Sequence, residues 1–498
     1  MEKVTQNIIA NYAGKLWGFI SIFIFVRFYI DLLGIESYAI INFYTVILGL
    51  LAFADAGLTA TLTRQLARDI EISEKSNLVY TFEKIYFYIC LIITVVVICA
   101  SNYIANNFLQ SKLYTPESVS YYLRLIGIGV ALQLFSTLYE GGLNGLQHQV
   151  LTNKVKIVWS LFRSGLVLIP IYFYPKLDVY FIWQILCNIV LILFFRNALK
   201  TCLSGNSPIF SLNLLKSNSR YALGMMGIAL ISAINIQIDK LVTSKYLSME
   251  QFGYYSIAST LSQVPTMIVI PVMAAVFPLF SLYVSQNNNE LIGNNFHKYS
   301  FLITIISAPI SLCLFLYSIP LVELWIGKPF IAESINNVLK ILVLGSFFLC
   351  LQLTPFYLAL ANGYTKINLY TGVVGLIVVI PLIIYSVKSY GMIGATIPWL
   401  LVNVCTFLLV GFYIVNKFLN EHKIKWIVWD ILVPILLTFI VGFSLYTIFS
   451  SFSNKYVFLV SSMLIGLISI FFNVLIYNKR NIGNPLIDFS KIINFRKS

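Results

Sequence analysis

The chain has 498 residues, 59% of them hydrophobic and only 10% charged, with 33 Lys and Arg against 19 Asp and Glu and a net charge of +14. Soluble domains carry about 25% charged residues, so a mean hydropathy of +0.86 excludes a soluble protein, a disordered chain and a secreted disulfide scaffold. Nucleic acid is excluded as a partner as well, because the cations are spread thinly between apolar windows and form no basic face.

Each window is about 20 residues long, enough to cross about 30 Å of hydrocarbon. In chain order the predicted spans are 7–31, 37–62, 84–106, 119–145, 155–174, 178–195, 221–239, 251–283, 299–322, 334–361, 367–387, 391–415, 427–449 and 456–477. Barrel strands would show alternating segments of about 10 residues instead, so the spans are read as helices and the chain as an all-α polytopic membrane protein of about 14 transmembrane helices. The first span has only Lys3 before it and no small-residue cleavage site, and is expected to stay in the protein. In the eighth span, Pro265, Pro271 and Pro278 are expected to kink the helix.

Lys and Arg in the connections set the orientation. The N-terminus, the even-numbered connections and the tail hold 21 of the 33, the odd-numbered connections hold 7, and Lys15, Arg27, Arg124, Arg163 and Lys340 lie inside spans. Both termini are therefore expected on the cytoplasmic side. The richest cytoplasmic stretches carry Arg64, Arg68, Lys75 and Lys84, then Arg196, Lys200, Lys216 and Arg220, then the tail cations Lys479, Arg480, Lys491, Arg496 and Lys497. They suit anionic lipid headgroups, which makes membrane lipids a partner.

The chain also matches itself. At an offset of 214 Leu33-Gly34-Ile35-Glu36 falls on Leu247-Ser248-Met249-Glu250; at 216 Glu117-Ser118-Val119 and Arg124 fall on Glu333-Ser334-Ile335 and Lys340; at 218 Asn144-Gly145 falls on Asn362-Gly363. These landmarks predict a duplicated six-helix unit: an N-terminal bundle over 1–205, a C-terminal bundle over 206–420, and two added helices with a basic tail over 421–498. Repeats in the same orientation are related by a pseudo-two-fold axis along the membrane normal and belong to transporters that rock one half against the other.

Several segments point to a known family: Asn7 to Gly14, Leu33-Gly34-x-Glu36-x-Tyr38, Asp55-Ala56-Gly57-Leu58 followed by Thr63-Arg64-x-x-Ala67-Arg68, Gly142-Leu143-Asn144-Gly145-Leu146-Gln147, and Tyr246-Leu247-x-Met249-Glu250-Gln251-Phe252-Gly253-Tyr254-Tyr255. On these the chain resembles the Wzx-type O-antigen and capsule repeat-unit flippases of the multidrug/oligosaccharidyl-lipid/polysaccharide exporter superfamily, over nearly its whole length. The resemblance implies two six-helix bundles around a cavity in the bacterial inner membrane. It also implies a lipid-linked oligosaccharide cargo on undecaprenyl pyrophosphate, turned from the cytoplasmic to the periplasmic leaflet by alternating access. Polymerase and chain-length proteins of the same pathway are the protein partners it implies. Coupling to a proton or sodium gradient is known in the superfamily, and no residue here is tied to it by sequence. A peptidoglycan-precursor flippase and a multidrug exporter are the alternatives within the superfamily.

The residues themselves add the charges that do not belong in hydrocarbon: Arg27, Asp55, Arg124, Glu140, Arg163, Asp239, Lys240 and Lys340. Each costs about 2.5 to 3.5 kcal/mol at a helix centre, so they must lie near the interface, pair, or line water. Arg163 lies deepest, about 12 Å in at 1.5 Å per residue, and is read either as a cavity cation touching substrate or as one partner of an interhelical pair. Arg27, Arg124 and Lys340 are candidate substrate contacts that can also snorkel. Asp239 and Lys240 are read as a charge pair and substrate contact, or simply as a helix end. Asp55 and Glu140 either neutralise Arg64, Arg68 or Arg163 or form a coupling site. Five cations to three acids suits an anionic pyrophosphate, for which Arg supplies bidentate recognition, better than a cationic drug. Gln133, Asn235, Gln237 and Gln263 are further polar residues within spans, read as bonding sugar hydroxyls or neighbouring helices.

The seven cysteines form no C-x-x-C pair, and His148, His297 and His422 sit in short connections with no ligand partners at metal spacing, so no metal or other cofactor is expected. A polysaccharide polymerase or ligase would need a large extracytoplasmic loop with catalytic Arg or His. The odd-numbered connections are at most about a dozen residues and contain no His, so the chain is not expected to be an enzyme.

Overall fold

The computed structural model describes residues 2–203, 208–210, 212–450, 452, 454–480 and 486, with side chains undescribed over 2–12, 15, 56, 212–225, 227, 228, 368 and 369. The tail cations Lys491, Arg496 and Lys497, the side chains of Lys3, Lys216 and Arg220, and most of the Asn7 to Gly14 motif therefore lie outside the described residues. The chain divides into two units, Met1–Ser256 and Ile257–Ser498.

The first unit runs α1 (Glu2–Leu33), α2 (Ile35–Leu51), α3 (Phe53–Ala56), α4 (Leu58–Leu66), α5 (Ile72–Asn107), α6 (Pro116–Gly145), α7 (Gln149–Ser160), a π-helical segment (Leu161–Leu166), α8 (Leu168–Phe173), α9 (Leu177–Cys202), α10 (Leu212–Tyr246) and the start of α11 (Met249–Ser262). Gly34, at φ 85°, makes the break between α1 and α2 that a side chain would resist. Thr115 caps α6 by accepting from the Ser118 amide, and Pro116 occupies a first-turn position that needs no donor. More than half of α6 is buried (56%) against 22% of α5, so α6 is the central post of this unit, with α4, α5 and α9 packed around it. Leu62, Phe82, Leu138, Leu143, Phe195 and Leu199 fill the space between them. Outward, α5 and α9 leave Leu91, Ile92, Val95, Leu186, Val190 and Leu193 exposed, an apolar surface stable only in a bilayer.

The second unit completes α11 and continues with α12 (Val264–Ser285), α13 (Asn289–Leu316), α14 (Ser318–Ile326), α15 (Pro329–Ala361), α16 (Lys366–Cys405), a π segment (Thr406–Gly411), α17 (Phe412–Phe418), a 3-10 turn (Asn420–His422), α18 (Lys423–Lys425), a π segment (Trp426–Leu432), α19 (Val433–Phe449) and α20 (Lys455–Arg480). Phe296, Leu358, Phe407, Ile414 and Trp426 form one core cluster, and Val269, Met273, Phe280 and Ile303 another.

Among the described residues twelve helical stretches are long and apolar enough to cross a membrane, and no strand forms; one isolated parallel bridge joins Gln110 and Ser248. The chain is a polytopic all-α membrane protein. One of the twelve stretches, Tyr370–Phe418, holds two of the spans expected from sequence, because Gly391 (φ 58°, ψ −134°) folds α16 back on itself. At that fold a Cβ on Gly394 would stand 1.8 Å from the Ser386 carbonyl. The seventh expected span falls on α10, whose first half has undescribed side chains.

The eighth span breaks at Gln263, with Pro265 in the first turn of α12, and Pro271 and Pro278 lie inside that helix. Helix starts recur along the chain: Ile35 and Met249 are 214 apart, Ile72 and Asn289 are 217 apart, and Gln149 and Lys366 are 217 apart. The ends of α6 and α15 close identically: the His148 amide donates to Leu143 O and the Tyr364 amide to Ala359 O, across Gln147 (φ 64°) and Gly363 (φ 68°). This 216-residue shift places Gln147, rather than Gly145, opposite Gly363, and corrects the 218 alignment read from sequence.

Candidate functional site

Arg163 sits on the π-helical segment Leu161–Leu166 between α7 and α8. A π turn carries one extra residue and leaves the regular hydrogen-bond ladder, a distortion common at functional positions. Gly165 allows it to pack against the Phe25 ring, which a Cβ would approach to 3.0 Å, and the Tyr29 hydroxyl donates to the Ser164 carbonyl at 2.6 Å.

The guanidinium is framed by neutral groups. Its Nε donates to Gln184 Oε1, and Gln184 Nε2 donates back to the Arg163 carbonyl at 3.1 Å. Its Cζ lies 4.9 Å from the Trp159 ring centre and 5.5 Å from that of Tyr44, contacts of a kind worth about 0.5 to 1 kcal/mol when exposed and about 2 kcal/mol when shielded from water. Tyr44 is fixed in turn by donating to Gln133 Oε1 at 2.7 Å, and Asn188, fully buried one turn after Gln184 on α9, donates to the Gly129 carbonyl. Among the described residues no carboxylate forms an ion pair with Arg163. Trp159 also lines an apolar groove of about 550 Å³ between α7 and α9, together with Lys154, Val158, Phe162, Trp183 and Leu186.

Among the described residues, none of the other in-span charges of the first unit forms an ion pair with Arg163. Arg27 pairs with Asp31 one turn away on α1 at 3.7 Å, both about half exposed. Arg124 is exposed on α6, with its nitrogens 3.3 Å from Ser101 Oγ and Asn102 Oδ1. Lys340 belongs to the second unit and lies over the Phe315 ring at 5.6 Å. Asp239 and Lys240 are not a helix end: α10 runs on to Tyr246. Asp239 accepts from the Tyr255 hydroxyl at 2.8 Å, its other oxygen is buried without a partner, and the Lys240 carbonyl accepts from the Thr243 hydroxyl at 3.1 Å.

Two pairings expected from sequence are replaced. Glu140 binds Lys156, on the next helix, at 2.9 Å rather than Arg64, Arg68 or Arg163, and Asp55 is held by the hydroxyls of Thr59 and Tyr86. Of the in-span amides, Gln133 serves Tyr44, Gln263 accepts from Thr266 and Asn235 bonds its own helix at Ile231; Gln237 leaves Oε1 buried and unpaired. The structure adds contacts not expected from the sequence: Gln184 at Arg163, the Arg196–Glu83 pair at 2.7 Å, and a contact between His297, Asp430 and His422. Asp430 lies inside the thirteenth span and belongs with the in-span charges; nothing in the sequence links it to His297, 133 residues earlier.

The family described as "polysaccharide biosynthesis protein" matches residues 31–334, more than half of the chain. The chain belongs to this family. An O-antigen transporter assigned to Shigella flexneri is 22% identical over 378 residues, covering 74% of this chain and 87% of the relative. The lipopolysaccharide biosynthesis protein WzxC of Escherichia coli is 26% identical over 219 residues, 44% of each chain. Among solved structures, the lipid II flippase MurJ in an inward closed conformation superposes with a TM-score of 0.72 at 16% identity, over 95% of this chain and 99% of that one. This polysaccharide biosynthesis protein therefore shares the MurJ fold, and its relatives in sequence are named for O-antigen transport and lipopolysaccharide biosynthesis.

Proposed function

We infer that this protein is a transporter that turns lipid-linked oligosaccharide repeat units, of O-antigen or capsule type, from the cytoplasmic to the outer leaflet of a bacterial inner membrane. The observation that carries the reading is Arg163. A guanidinium within a span, with neutral hydrogen-bond and ring partners and no carboxylate among the described residues, carries a charge that the protein leaves uncompensated at a cost of about 2.5 to 3.5 kcal/mol. A pyrophosphate supplies that compensation with the bidentate geometry guanidinium prefers. The apolar groove that shares Trp159 with this site suits an amphiphile whose charged head is joined to a hydrocarbon tail. Family membership and the transport roles in the relatives' names support the same reading.

The remaining assignments rest on it. Arg27, Arg124, Lys240 and Lys340 are proposed as secondary contacts for the anionic cargo, and both termini as cytoplasmic, supported by the charge asymmetry of the connections. The two halves are proposed as a duplication, supported by the recurring helix boundaries. No covalent step on the cargo is assigned to this chain. The test is surface glycan in a flippase-deficient strain that carries the matching glycosyltransferases. Restored glycan supports the reading; drug resistance without glycan would replace it by export of drugs.

A further inference from the structure

The second unit contains a cluster of titratable side chains that the transport site does not use. His297 on α13 is 4% exposed and Asp430, on the π segment Trp426–Leu432, is 2% exposed. His297 Nδ1 lies 2.5 Å from Asp430 Oδ2, and His297 Nε2 lies 2.8 Å from Nδ1 of His422, which is half-buried at the end of the 3-10 turn. The three side chains thus form an unbroken line from the protein interior outward. Their space is made by Gly293, one turn before His297, where a Cβ would stand 2.7 Å from His422 Cε1. Phe296 and Trp426 pack beside them, and α15 and α17 contribute Leu358, Ile414 and Val415, none of which titrates.

We propose that His422, His297 and Asp430 form a proton-binding relay that takes up one proton at His422 Nε2 and stores it on Asp430. This deepens the transport reading and rests on it only for the use made of the proton. The balance closes in both states. In the unloaded state Asp430 is a carboxylate accepting from His297 Nδ1–H, His297 Nε2 accepts from His422 Nδ1–H, and His422 Nε2 is bare. When a proton binds at His422 Nε2, the proton on His422 Nδ1 passes to His297 Nε2 and the proton on His297 Nδ1 passes to Asp430 Oδ2. The loaded state then has Asp430 donating to His297 Nδ1, His297 Nε2–H donating to His422 Nδ1, and no hydrogen bond lost. The net charge of the trio changes from −1 to 0, and neither state leaves a buried polar atom of the line unpaired, the condition that makes buried polar networks affordable. The charged and titratable groups acting on it are Glu421 and Lys425 on the turns that carry His422 and Asp430, and Tyr477 and Arg480 on α20. A structural staple would need only the His297–Asp430 contact; the His422 ring extends the line to the half-buried edge and gives it an entry point.

The test is infrared difference spectroscopy of the purified full chain in lipid nanodiscs, acidified stepwise, with isotope-labelled aspartate. The expected result is a carboxylic-acid band that grows on acidification, is lost in Asp430→Asn, and titrates at a shifted pH in His422→Gln. A band unchanged in Asp430→Asn, or one whose titration His422→Gln leaves in place, overturns the relay. Should Asp430→Asn fail to fold, nitrogen NMR of labelled histidines in the wild-type chain decides: the two imidazoles exchange tautomers over one pH interval if the relay exists, and titrate separately if it does not. Surface glycan is scored in parallel. A wild-type chain that shows the band and moves no glycan sinks the transport reading and leaves the relay, whereas glycan movement without the band does the reverse.

Discussion

At the scale of single residues, the in-span charges divide by their partners. Arg27, Glu140 and Arg124 have found ordinary ones: a carboxylate a turn away, a lysine on the neighbouring helix, and the Ser101 and Asn102 side chains. Arg163 is surrounded by rings and an amide, an environment that holds the guanidinium in place without neutralising it. The Glu140–Lys156 pair is 25% and 44% exposed, and pairs this open contribute about 0 to 1 kcal/mol. Lys156→Met is therefore expected to leave thermal unfolding of the purified protein nearly unchanged and surface glycan intact; a large fall in stability would contradict the weak pair, and glycan lost at unchanged stability would place it inside the working site. Which cation Glu140 chooses was not legible in the sequence, because interhelical pairing depends on the rotation of each helix. The same holds for His297 and Asp430, whose contact is set by a π turn that shifts the register of its segment. The depth of Arg163 made it stand out in the sequence, whereas its frame of Gln184, Trp159 and Tyr44 comes from three different helices and was not legible there.

At the scale of elements, hydropathy located the spans well because each must fill the same hydrocarbon thickness. The division of the stretch around 387–391 into two spans is realised by Gly391, a position whose φ of 58° and ψ of −134° suit only glycine. Pro265 sits in the first turn of a helix, where its missing donor is harmless, while Pro271 and Pro278 lie inside α12, as membrane helices often allow. Gly394→Ala tests the α16 hairpin, since the added methyl would meet the Ser386 carbonyl, whereas Gly18 has open space within 4 Å. Overpacking of this kind costs about 1 to 3 kcal/mol. Gly394→Ala is expected to lower the unfolding temperature and the yield of monodisperse protein, and Gly18→Ala to leave both unchanged; equal behaviour of the two would contradict the hairpin.

At the scale of the whole molecule, the scarcity of charge first assigned the chain to a bilayer, and the distribution of that charge predicts its orientation. In a background without native cysteines, Lys328→Cys is expected to react with an impermeant maleimide on intact cells, and Lys154→Cys only after permeabilisation. The reverse pattern would invert the topology and the direction of transport with it. The transport account itself comes down to whether Arg163 meets the cargo. Surface glycan in a flippase-deficient strain, measured at equal protein level for wild type, Arg163→Lys and Arg163→Ala, tests this most directly. The account predicts full restoration by wild type, partial restoration by Arg163→Lys, which keeps the charge but not the bidentate fork, and loss in Arg163→Ala. Undiminished glycan in Arg163→Ala would contradict it.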